Sequence, residues 1–131
     1  LLWGDRKTYI AQLELMAVFV AVVELAELVR GSHGLWCIDN VAALMALVKG
    51  CSGVSSMDQM AKAIHLGTFA LESQAYYEYV ESKANWSDEI SREGMNGRWA
   101  VENKFSTRHC GVATLLLQLP SIAVVGVFSF L

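Results

Sequence analysis

The sequence predicts an α/β layered domain with parallel strands, on three observations. Helix-period segments alternate with short apolar runs in the order helix, strand, helix, helix, strand, helix, which is the pattern of a parallel sheet covered by helices. Glycines stand just past the ends of three of these helices, at Gly31, Gly50 and Gly94, where helices are commonly stopped. The 131 residues are 54% hydrophobic and 18% charged with one proline, enough apolar material for one domain and too short for two.

The first helix is expected over Ile10–Arg30, a stretch without Gly or Pro. Leu13, Met16, Val20 and Val23 follow one helical stripe, and Ala17, Ala21, Leu25 and Leu28 follow the next. Together they cover most of the circumference and predict a largely buried helix, with Glu24, Glu27 and Arg30 wet near its end. Leu35–Ile38 reads as a buried strand ending at Asp39–Asn40. A second helix, Val41–Lys49, stops at Gly50, and Cys51–Ser55 is a turn. Ser56-x-x-Gln59 is a capping-box pattern opening a third helix, Met57–Ser73. Ala75–Val80, rich in tyrosine, is the second strand. Ser82–Asn85 is a loop, and Ser87–Glu93 is a short helix ended by Gly94.

Composition excludes several function classes. A formal net charge of −3 argues against a simple DNA-coating protein but does not exclude an enzyme that handles nucleic acid through metal ions, whose site must itself be acidic. Three widely spaced cysteines without a C-x-x-C predict neither a disulfide framework nor a zinc knuckle, and point to a reducing compartment. There is no G-x-G-x-x-G, Walker or G-x-S-x-G pattern. His33, His65 and His109 are scattered, with no ligand-like spacing. The chain opens at Leu1 with no basic stretch before an apolar run, which predicts no signal peptide and suggests a fragment. From Cys110 to Leu131 there are 22 residues without a charge, matching the roughly 20 apolar residues that span a bilayer. Pro120, Gln118 and two serines interrupt that run, so a strand-rich extension docked on the body and sequence beyond the natural end of the domain are the rival readings.

Three carboxylates stand out. Glu14 lies in an apolar stretch of the first helix, where an ionised group is costly unless it faces water near the positive helix terminus. Asp39 ends a strand, where open α/β sheets place ligands, although either Asp39 or Asn40 also suits the cap of the next helix. Asp88 opens the last helix, where a negative charge is favourable for structural reasons alone.

Taken as an ordered set, Gln12-Leu13-Glu14-Leu15-Met16-Ala17, Trp36-Cys37-Ile38-Asp39-Asn40-Val41-Ala42-Ala43 and Tyr79-Val80-x-Ser82-Lys83-x-Asn85-x-Ser87-Asp88-x-x-Ser91-Arg92 resemble a known family. The family is the ribonuclease H-like domain of retroelement reverse transcriptases, particularly the DIRS-like group. The likeness covers roughly Tyr9–Gly94, with Leu47–Ser52 similar to the family's turn after the second helix. The resemblance implies two-metal phosphodiester hydrolysis of RNA in RNA–DNA hybrids, with two Mg2+ ions held by four carboxylates. Glu14 then matches the helix glutamate, Asp39 the strand-end aspartate shared between the metals, and Asp88 the last aspartate, with Asn85 and Ser91 supporting. It further implies a reverse-transcriptase polymerase region of a longer polyprotein as partner and an intracellular location, in cytoplasm or nucleus.

The family's opening three strands, including the central one with the first catalytic aspartate, have no counterpart in Leu1–Thr8, and Asp5 falls in the approach to the helix. The expected organisation is therefore a truncated ribonuclease H-like domain (1–94), a polar connector (95–109) and a hydrophobic tail (110–131), with weakened or absent magnesium binding and no activity as this chain. Arg92, Arg98 and Lys104, interleaved with Trp99 and Phe105, are candidate contacts to a nucleic-acid backbone, offset by Glu93 and Glu102. The alternatives are a noncatalytic structural or interaction remnant, and a small protein anchored in a membrane by its tail.

Overall fold

The computed structural model describes residues 6–107 and 109–111. Its class is mixed α/β, with two parallel strands as expected. The elements are α1 (Arg6–Glu24), α2 (Ala26–Val29), β1 (His33–Ile38), α3 (Val41–Lys49), α4 (Ser55–Ala70), β2 (Gln74–Tyr79), α5 (Trp86–Glu93) and α6 (Arg98–Glu102). Short 3-10 turns occupy Ser82–Ala84 and Gly94–Asn96, so the stretch expected as a connector carries both a turn and the helix α6.

The first helix departs from its predicted form. It starts at Arg6 and breaks at Leu25, whose φ of −108° and ψ of 26° are not helical, before resuming as α2. Its buried stripe is Ala11, Leu15, Val18, Phe19 and Val22, while Ala17, Leu25 and Leu28 face solvent. A helix apolar nearly all round carries no periodic signal for which face is covered, and here α3 and α4 cover one. Gln12 belongs to the buried face. Its Nε2 donates to Ser56 Oγ at 2.6 Å, and its Oε1 has no hydrogen-bond partner among the described residues.

That contact explains a second departure. Ser56 does not cap α4; the cap position is Val54, without a side-chain bond, and Ser56 lies inside the helix facing Gln12. The turn before α4 is held instead by Asp58, whose Oδ1 accepts from Ser52 N at 2.6 Å and Ser52 Oγ at 3.0 Å. These bonds, the backbone one foremost, hold the Asp58 carboxyl below its usual range. The far end of α4 also stops short of Ser73. Glu72 takes a left-handed φ of 53°, Glu72 N donates to Phe69 O and Ser73 N donates to Thr68 O, both at 2.9 Å. This is a Schellman ending built without glycine.

β1 and β2 run parallel in register from His33↔Gln74 to Ile38↔Tyr79. Alternate residues Trp36, Ile38 and Tyr77 turn toward the helices and join a core led by Leu15, Phe19, Leu47 and Ile64. Each such large side chain contributes about 1.5–3 kcal/mol by leaving water. Among the described residues no helix is long and apolar enough to cross a membrane. The uncharged run beyond Gly111 lies outside the described residues.

Candidate functional site

Asn40 and Asp39 divide the two roles open to them. Asn40 caps α3, its Oδ1 accepting from Ala43 N at 3.0 Å, which leaves the Asp39 carboxylate free of capping. Asp39 instead meets Glu14 from the middle of α1. The Glu14 carboxyl is half-buried and held above the ordinary 4.5, first by loss of surrounding water, then by the negative charge of Asp39 and by a hydrogen bond to it. Glu14 is therefore not the solvent-facing helix residue that its position alone permits.

A third group approaches from the other side. Asn85 Nδ2 donates to Asp39 Oδ2 at 3.0 Å. The same side chain caps α5, its Oδ1 accepting from Ser87 N at 3.1 Å and from Ser87 Oγ at 2.7 Å. One amide thus ties the end of β1 to the start of α5, and satisfies one of the helix's otherwise orphan backbone donors. The asparagine matched to a supporting role by resemblance touches the central carboxylate directly.

Asp88 sits in the first turn of α5, with its carboxylate engaged elsewhere. Arg92 Nη2 lies 3.1 Å from Asp88 Oδ2, and Arg92 Nε donates to Oδ1 at 3.2 Å. Ser91 Oγ donates to the backbone carbonyl of Asp88 at 2.8 Å, a bond within its own helix. Asn85, Asp88 and Arg92 do share one open cleft of about 320 Å3, with Lys83, Trp86 and Trp99 among its walls. Among the described residues no three His, Cys, Asp or Glu side chains are arranged to hold a metal ion. The structure brings Glu14, Asp39 and Asn85 together and leaves Asp88 one helical turn beyond them.

The basic candidates are also partly spent. Arg98 Nε donates to Glu102 Oε1 at 2.7 Å, and Lys104 is exposed at a left-handed φ of 53°. Between them runs an aromatic row that spacing in the sequence does not reveal in full. Trp86 lies 6.2 Å from Trp99, and Trp99 meets Phe105 edge-on at 4.7 Å between ring centroids. Glu89 positions this row, its Oε1 accepting from Trp99 N at 2.7 Å at the start of α6. A contact between side chains ten or more residues apart, on two short helices, leaves no periodic trace.

Chemically, two carboxylates in contact either share a proton or turn the same oxygens to one hard cation. Partial burial sharpens the choice, because water screens their repulsion poorly. The chain matches no protein-family model, no curated protein and no solved structure.

Proposed function

We propose that this chain is a ribonuclease H-like domain of the retroelement reverse-transcriptase type, related to two-metal hydrolysis of RNA in RNA–DNA hybrids and catalytically silent in this form. The observation that supports it is the meeting of Glu14 with Asp39, two residues from separate motifs of the resemblance, with Asn85 of the third motif bound to Asp39. In this reading α1, α3 and α4 form one helical layer on the sheet, and the polymerase region of an intracellular polyprotein is the natural partner.

The donors fit magnesium in kind, since Glu14 and Asp39 offer only hard oxygens. When bound between such carboxylates, the metal lowers the pKa of a water and neutralises charge on the departing oxygen of a phosphodiester. Glu14 and Asp39 would hold one ion through their carboxylate oxygens, while Asn85 keeps the Asp39 carboxylate oriented. Asp88 would complete a second position only by leaving Arg92. That ion pair also favours the second reading, a noncatalytic interaction remnant in which the carboxylates persist as ancestry.

Two measurements on the full chain test the proposal. An RNA strand paired to DNA stays intact in the presence of Mg2+ above the buffer control, whereas cleavage abolished by Asp39→Asn would show the domain to be active. Mg2+ at tenfold over its Kd stabilises the fold at pH 7 by about 1.4 kcal/mol. Asp39→Asn cancels that gain, and a wild-type melt indifferent to millimolar Mg2+ would remove the metal-site reading.

A further inference from the structure

Among the described residues the sheet has one covered face and one bare one. His33, Leu35 and Cys37 of β1 and Gln74, Tyr76 and Glu78 of β2 all point away from the helices and are exposed. Register sets Leu35 beside Tyr76, and these two are 68% and 61% exposed. Parallel sheets are found almost only with both faces covered, because they expose apolar side chains on each. Among the described residues β1 and β2 pair only with each other, so the outer edge of each strand is open as well.

We infer that residues 112–131 of this same chain dock on the bare face of the β1–β2 sheet. The run from Cys110 to Leu131 has no charged side chain to hold it in water, and carries Val112, Leu115–Leu117, Ile122, Val124 and Val125. An uncharged segment and the uncovered side chains of Leu35 and Tyr76 on one molecule are each costly alone and lower their cost together. Reach is not limiting. The 20 residues beyond Gly111 extend up to about 66 Å, against about 28 Å for the 19-residue α1. Pro120 divides the run into two apolar halves, each long enough to lie along a six-residue strand of about 20 Å. Docking through such a half covers Leu35 and Tyr76 and shields Cys37 between them and the strand end.

Cys37 makes the inference measurable. In the full chain with Cys51→Ser and Cys110→Ser, Cys37 is the single thiol. Its alkylation by iodoacetamide is slowed about tenfold or more relative to the same chain carrying Ile122→Lys and Val125→Lys, at every protein concentration. Equal rates in the two chains overturn the inference. So does protection that grows with protein concentration, which assigns the face to a second copy, or protection that arises only with phospholipid vesicles, which assigns the tail to a membrane. Hydrogen exchange read directly on residues 112–131 guards against a misfolded variant. Leu35→Lys accelerates exchange there about tenfold if the tail docks on this face, and leaves it unchanged if it does not.

Discussion

At Glu14 two unfavourable conditions coincide, partial loss of water and a neighbouring aspartate, and the carboxyl responds by keeping its proton to higher pH. Between 4.5 and that raised value the folded chain binds more protons than the unfolded one, so stability falls as pH rises through the window. The contribution is complete below 4.5 and lost above the folded value. Glu14→Gln removes the titrating group, so thermal melts should give wild type and variant similar Tm values near pH 4 and a higher Tm for the variant at pH 7.5. An unchanged difference across that range would mean that Glu14 is solvated after all. Glu72 offers a test at a distance from the site. Its left-handed conformation suits glycine, so Glu72→Gly should gain about 0.5–1 kcal/mol, whereas Gly50→Ala, at φ 74° after α3, should lose about 1 kcal/mol. Denaturant midpoints at constant m read both.

Among the elements, α1 and α4 approach each other tightly at Gly67. A Cβ there would stand 3.3 Å from Val22 Cγ1. Gly67→Ala should be nearly neutral, the gain in helix propensity offsetting the squeeze, and Gly67→Leu should cost about 1–3 kcal/mol by forcing the helices apart. Equal stability of the leucine variant in urea would show that this contact is loose. Short, punctuated elements were legible in sequence: β1 up to its end before Asp39, and α3 up to its stop at Gly50. The face of α1 was not, because Ala17 and Leu28 are as apolar as Ala11 and Leu15 and only tertiary neighbours choose between them. Ser56 misled for a related reason, since a serine three residues before Gln59 caps only when no buried partner such as Gln12 claims it. Within the site, Glu14 and Asp39 were recognisable as costly or well-placed carboxylates. Which of Asp39 and Asn40 caps α3 is a tertiary decision, made where Glu14 and Asn85 both reach Asp39.

Over the whole molecule the acidic contact joins three separate parts of the chain: α1, the end of β1 and the loop into α5. It links the helical core to the aromatic row of Trp86, Trp99 and Phe105 through the single Asn85 side chain. A molecule organised this way transmits loss of the Asp39 carboxylate to α5, because Asn85 then loses its partner while still capping the helix. The central claim is that Glu14 and Asp39 form one carboxylate pair able to hold a divalent cation. The most direct measurement is the titration of the Glu14 side-chain carboxyl carbon by NMR in the full chain, alone, with Mg2+, and with Asp39→Asn. Glu14 is expected to titrate above 4.5 in wild type, and to move down both on addition of Mg2+ and on removal of the Asp39 charge. A Glu14 carboxyl that titrates at its ordinary value and ignores both Mg2+ and Asp39→Asn would contradict the pair, and with it the proposed site.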